Sequence, residues 1–340
     1  MQTLPRPSLE QVAEIYNKPL LDLVFEAASV HRQYHSPRDV QRCTLLSIKT
    51  GGCPEDCSYC PQSAHYNSGV QDTPLLQVDS VLNAAGEARG RGATRFCMGA
   101  AWREVTDGPD FDRVVEMVSG VSKLGMEVCC TLGMLTNEQA RRLKLAGLTA
   151  YNHNLDTSEE NYSNIIHTRT YADRLATLGA VREAGLQVCS GGIVGMGERA
   201  EDIIKMLYTL SNLDPHPESV PVNGLVRAEG TPLEDRPAAD PLLLVRTVAT
   251  ARILMPTTRV RLAAGRVDLS PEAQALAFLA GANSIFYGDR LLTTPNPGSD
   301  ADELLLQKLG LADERGEMQQ NAKLLHHHGD SHECGTHCLD

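Results

Sequence analysis

The chain has 340 residues, 42% of them hydrophobic and only 4% aromatic, with 43 acidic residues against 31 basic and a formal net charge of −12. That acidic balance, with no Lys/Arg cluster interrupting it, excludes an electrostatic nucleic-acid footprint. No window approaches the roughly 18 uninterrupted apolar residues of a membrane span, so no membrane partner is expected.

In chain order, residues 1–10 hold no basic region followed by an apolar run, and they are not an Arg-rich, acid-poor leader. A cytoplasmic protein is therefore expected. Residues 8–35 read as two helices, part of an N-terminal helical extension (1–40) lying against the outside or floor of the main domain. Short β-branched runs then alternate with amphipathic stretches. They predict strands at 44–49, 94–98, 127–130, 149–154, 187–190, 219–223, 259–263 and 283–287. Helical stretches fall between them, as at 110–124, 137–146, 171–184 and 241–254. Gly92, Gly125, Gly147, Gly185 and Gly281 each stop a helix just before the next strand, where the left-handed conformation favours glycine. Eight β units with helical returns predict an α/β fold: a (βα)8 TIM-type barrel over 41–315. An open doubly wound sheet is the alternative. Residues 316–340 form a tail with His326, His327, His328, His332, Cys334, His337 and Cys338. It has the composition of a metal binder and the position of a disordered terminus.

Ten cysteines in a long intracellular chain are read as metal ligands or catalytic thiols before disulfides. Cys97, Cys129, Cys189, Asn154, Asn223 and Arg261 all fall near the C-terminal ends of predicted strands, and Cys53, Cys57 and Cys60 lie on the loop after the first. In a barrel all of these face one mouth. Cys53-Pro-Glu-Asp-Cys57-Ser-Tyr-Cys60 is a C-x3-C-x2-C run. Three thiolates this close can hold three corners of a 4Fe–4S cube and leave one iron open to a ligand. A zinc site short of one ligand is the alternative, although no second C-x2-C pair follows. Cys129 and Cys130 are adjacent, so only one can point into a barrel. Cys43 precedes the predicted first strand and reads as structural. The glycine-rich turn at 192–198 lacks the Gly-Lys-Ser/Thr of a phosphate loop.

The C-x3-C-x2-C run with Tyr59 before its third cysteine resembles the radical S-adenosylmethionine (SAM) signature. The wider string Gly51 to Ser63 is closer still to the biotin synthase family. So are Phe96-Cys97-Met98-Gly99-Ala100-Ala101-Trp102, Tyr151-Asn152-His153-Asn154-Leu155-Asp156-Thr157 and Val188-Cys189-Ser190-Gly191-Gly192-Ile193. The likeness runs from about residue 10 to about residue 315. It implies a radical SAM sulfurtransferase that converts dethiobiotin to biotin. Cys53, Cys57 and Cys60 would hold a 4Fe–4S cluster whose open iron binds SAM. Cys97, Cys129, Cys189 and Arg261 would hold a 2Fe–2S cluster that donates the sulfur. An arginine ligand is chemically unusual, because a guanidinium has no free lone pair. Tyr59, Gly99, Ala100, Asn154, Asp156, Gly192 and Ile193 would contact SAM. Asn152, Asn154, Asn223, Thr293 and Thr294 would contact the substrate. The implied partners are a flavodoxin or ferredoxin electron donor, the iron–sulfur assembly machinery and a second copy in a homodimer. Two other readings remain open: a different C–H sulfurtransferase, and an iron–sulfur electron carrier that does not cleave SAM.

Overall fold

The computed structural model describes residues 6–311, so the His/Cys-rich tail lies outside the described residues. Two helices come first, α1 (Leu9–Tyr16) and α2 (Leu20–Tyr34). The chain then alternates through β1 (Gln41–Lys49), α3 (Val78–Gly90), β2 (Arg95–Ala100), α4 (Pro109–Lys123), β3 (Glu127–Thr131) and α5 (Asn137–Leu145). It continues with β4 (Ala150–Asn152), α6 (Glu159–Tyr162), α7 (Tyr171–Glu183), β5 (Gln187–Cys189), β6 (Gly192–Val194) and α8 (Ala200–Ser211). After these come β7 (Ser219–Gly224), α9 (Pro241–Leu254), β8 (Arg259–Leu262), α10 (Pro271–Leu279) and β9 (Ser284–Phe286). A short hairpin, β10 (Arg290–Leu291) and β11 (Thr294–Pro295), precedes α11 (Ser299–Lys308).

All strands from β1 to β9 pair in parallel, and the sheet closes because β1 also pairs with β9 and β5 with β7. This is the (βα)8 barrel, with β5 and β6 as two halves of one stave. The helices start where their sequences provide caps. Thr136 with Gln139 opens α5, and Thr170 with Asp173 opens α7; each pair is a reciprocal capping box. The N-terminal helices lie on the outside: α1 packs on α8 and α9, and α2 on α9.

Three local departures from the predicted strands matter for the site. The first strand begins earlier than expected, so Cys43 is its third residue and not a residue before it. Gln41 and Arg42 carry no apolar signal, which hides that start. The fifth stave breaks at Ser190–Gly191. The fourth carries one extra residue. Asn152 pairs with Cys189 and Asp156 bridges Gly192, so four steps along one stave match three along the other. The amides of Leu155 and Asp156 both donate to Gly191 O, at 3.0 and 3.1 Å, which is the signature of a β-bulge. Asp156 takes φ +68° there.

The core falls into two parts. The large one lies between strands and helices and includes Cys130. The small one lies inside the ring and consists of Cys43, Cys97, Cys129, Ala150 and Cys189. Barrel interiors are usually filled with Val, Ile and Leu; this one is filled largely with thiols.

Candidate active site

The loop after β1 is built to hold its cysteines rigidly. Gly51 and Gly52 both have left-handed φ, and a Cβ on Gly51 would stand 2.6 Å from Gln71 O. Cys53 N donates to Gln62 O at 2.9 Å and Ala64 N to Cys53 O at 2.7 Å, closing the loop on itself. The Asp56 carboxylate accepts from the amides of His167 and Thr168, at 2.9 and 3.1 Å, and Ser58 N donates to Ile165 O at 3.0 Å. The loop is thereby pinned to the segment between α6 and α7.

Cys53, Cys57 and Cys60 line one cavity of about 320 Å³, whose deeper wall carries Cys97, Cys129 and Arg261. The eight described cysteines are all free thiols. Burial pushes Cys57 up to about 12 and Cys60 up to about 11, and it also raises Cys53. These groups therefore become thiolates only when a cation compensates their charge. Among the described residues, no three Cys, His, Asp or Glu donors converge on a single-ion position. A cube of four irons is gripped at its corners, so its thiolates stand farther apart than those around one ion. The C-x3-C-x2-C donors supply three thiolates, the ligand type of an iron–sulfur cluster.

At the mouth, the Tyr59 hydroxyl donates to Asp156 Oδ2 at 2.8 Å, and Arg174 forms a buried ion pair with the same carboxylate. Arg174 is itself fixed by Tyr162 Oη and Asn154 O, each at 2.8 Å. Asn154 Oδ1 accepts from Gly191 N at 3.2 Å and from Asn152 Nδ2 at 3.0 Å. Asn152 Nδ2 also reaches Cys189 Sγ at 3.3 Å, linking mouth to interior. Asn223 donates to Gly192 O at 2.9 Å and accepts from Ala264 N at 3.1 Å, so its amide also braces the backbone.

Gly99, Ala100, Ile193, Thr293 and Thr294 line the cavity as well, and so do Asn152, Asn154, Asp156, Tyr59 and Asn223. Cys189 and Gly192 do not. Cys189 is fully buried behind Asn152, and the smallness of Gly192 serves packing, since a Cβ there would meet Met206 Sδ at 2.0 Å. Cys189 is held low, to about 6, by the Cys129 thiol that donates to it and by the Arg261 guanidinium.

Several wall residues carry no signal in the sequence. Arg169 and Arg174 reach in from before and within α7. His153 is a buried wall residue with Nε2 unpaired, and burial together with those two arginines keeps its imidazole neutral. Leu292 closes over Gly99, whose Cβ would stand 2.7 Å from Leu292 Cδ2. No periodicity or spacing marks these residues.

Residues 47–210 match the radical SAM superfamily, and residues 221–312 match the Biotin and Thiamin Synthesis associated domain. The chain is 63% identical over 302 residues to the biotin synthase of Cytophaga hutchinsonii, covering 89% of this chain and 90% of that protein. It is 61% identical over 304 residues to the biotin synthase of Sorangium cellulosum, covering 89% and 87%. Among solved structures, methylornithine synthase superimposes with a TM-score of 0.75 at 19% identity, over 93% of this chain and 97% of that one. The FeFe-hydrogenase maturase HydG of Carboxydothermus hydrogenoformans does so with a TM-score of 0.75 at 18% identity, over 90% and 75%. At those identities the structural likeness bears on the fold alone.

Proposed function

The chain belongs to the biotin synthase family of radical SAM enzymes, and from that membership we propose how its own residues convert dethiobiotin to biotin. Cys53, Cys57 and Cys60 would hold the 4Fe–4S cluster to which SAM binds. When bound, that cluster would supply one-electron reduction for cleavage of SAM, the chemistry of the radical SAM family. Cys97, Cys129, Cys189 and Arg261 would hold a 2Fe–2S cluster that would supply the inserted sulfur. The observation that carries this reading is that Cys53, Cys57 and Cys60 share one cavity with Cys97, Cys129 and Arg261, with Cys189 buried directly behind. A substrate carbon between the two thiol sets is within reach of both.

The protein's part is to bind, orient and exclude water. Asp156 is held by Tyr59 and Arg174 and offers acceptor oxygens suited to ribose hydroxyls. Gly99, Ala100 and Ile193 supply the surrounding SAM surface, with Gly192 packed behind it against Met206. Asn152, Asn154 and Asn223 face the cyclic urea of the substrate, with Thr293 and Thr294 near its carboxylate tail. Leu292 and Trp102 give the mouth an apolar rim that limits competing reactions of a radical with solvent.

The same reading divides the chain into an extension (1–40), the barrel (41–315) and the tail (316–340), in a cytoplasmic protein. It takes its electron from a flavodoxin or ferredoxin and its clusters from the iron–sulfur assembly machinery. It works as a homodimer, as the family resemblance implies. Among the described residues, no helix is long and apolar enough to cross a membrane.

The test is anaerobic reconstitution with iron and sulfide, followed by SAM, dithionite and dethiobiotin, with products read by mass spectrometry. Biotin together with 5′-deoxyadenosine is the expected result. Deoxyadenosine without biotin would keep the chemistry and reject this substrate.

A further inference from the structure

The inner site contains a thiol that the three-cysteine reading leaves out. Cys43 is fully buried on β1, on the same face as Leu45, which lines the cavity. It belongs to the small core inside the ring, with Cys97, Cys129 and Cys189. The four sulfurs form a continuous run: Cys43 meets Cys97, Cys97 meets Cys129, and Cys129 meets Cys189.

Arg261 is clamped above this run. Its Nε donates to Ser284 Oγ at 3.0 Å, its Nη2 to Cys43 Sγ at 3.2 Å, and its Nη1 points to Cys189 Sγ at 3.8 Å. The face of the guanidinium lies 5.0 Å from the Phe286 ring centroid. Arg95, also buried, has an unpaired Nη1, and Cys43, Cys129 and Cys97 lie close enough to act on its charge. An arginine must give up a proton before it can bind iron, whereas a thiolate is the ordinary iron ligand. Here the two donors are the two ends of one hydrogen bond.

We propose that Cys43 is a second donor for the coordination position of Arg261, so that the inner iron centre has four thiols available and survives loss of the arginine. In the exchange an Fe–N bond gives way to an Fe–S bond. The thiol proton passes to the guanidine nitrogen across the existing contact, and no electron changes hands. An oxidised 2Fe–2S core with four thiolates carries two negative charges, and the guanidinium groups of Arg95 and Arg261 face it with two positive ones. The proposal rests on the reading of the inner thiols as a cluster site.

The test compares the full-length wild type, Arg261→Ala, Cys43→Ser and the double variant after anaerobic reconstitution. Iron, acid-labile sulfide and Mössbauer spectra are measured before and after a chelator challenge. The absorbance of the outer cluster at Cys53, Cys57 and Cys60 serves as the control for folding. Arg261→Ala is expected to keep the inner cluster with altered iron parameters. The double variant is expected to retain about tenfold less inner iron than Arg261→Ala at equal outer-cluster content. Equal inner iron in those two proteins, or its loss from Arg261→Ala alone, would overturn the proposal. A wild type that takes up only the outer cluster would instead remove the inner-cluster reading itself.

Discussion

Tyr59 and Asp156 are joined by a 2.8 Å hydrogen bond across the barrel mouth, between the loop that follows β1 and the bulge that follows β4. Tyr59 stands next to Cys60, so the bond ties the third cysteine of the motif to the opposite wall. Tyr59→Phe removes a hydrogen bond to a charged group, a loss of about 1.5–3 kcal/mol. Arg174 still holds Asp156, so the fold persists. The expected outcome is a lower urea midpoint and faster loss of iron to a chelator, read by absorbance. An unchanged rate of iron loss would mean that the loop needs no such tie.

Arg174→Met strands a carboxylate in a site where Arg174 and Asp156 are both almost fully buried. Removing one partner of a buried pair costs about 3–5 kcal/mol. Adding Asp156→Asn to that variant should recover part of the stability while leaving SAM binding poor. Denaturation of the single and double variants measures the first effect, and SAM titration the second.

The two thiol sets predict different losses. Cys53→Ala should abolish reductive SAM cleavage. Cys189→Ala should still release 5′-deoxyadenosine and make no biotin. Normal biotin formation by Cys189→Ala would remove that residue from the sulfur-donor role.

Gly192→Ala would place a Cβ 2.0 Å from Met206 Sδ and 2.8 Å from Asp156 O. The overpacking should cost about 1–3 kcal/mol. Met206→Ala in the same chain should recover part of that by making room, while the clash with the Asp156 carbonyl remains. Thermal melts of the two variants check this.

Two histidines at the end of α2, where it packs on α9, set an acid limit. Burial and then Arg252 lower His31 to about 3 and His35 to about 4. Between those values and 6.5 the unfolded chain binds protons that the folded chain refuses, so stability falls as the pH falls through that window. The His31 share between pH 6.5 and 4 is roughly 2–4 kcal/mol. His31→Gln should flatten the dependence of the melting temperature on pH relative to wild type, with both proteins carrying their clusters.

Much of this site can be read from spacing, because strand ends and the C-x3-C-x2-C loop are one-dimensional features. Cys97 and Cys129 sit deeper than expected, each the third residue of its strand and not at the strand end, and the choice of Cys129 over Cys130 agrees with side-chain alternation. The features that escape depend on reach or on contact. Arg174 comes from a helix, and helical periodicity does not reveal a guanidinium bent into a neighbouring mouth. Leu292 has meaning only because Gly99 lies beneath it. Cys43 is hidden because β1 opens with Gln41 and Arg42, whose polarity looks like a turn when it belongs to the barrel floor. Asn223 looks like a free amide in the sequence, yet both ends of it brace the backbone.

The bulge at Leu155–Asp156 gives the fourth stave four steps where its neighbour has three. Excision of Leu155 would restore equal counts and leave the hydrogen-bond ladder shorter and more regular. It would also remove the bulge that gives Asp156 its φ of +68° and aims its carboxylate at Tyr59 and Arg174. A deletion harmless to the sheet would thus disable the mouth, so this stretch tolerates exchange of a residue better than loss of one.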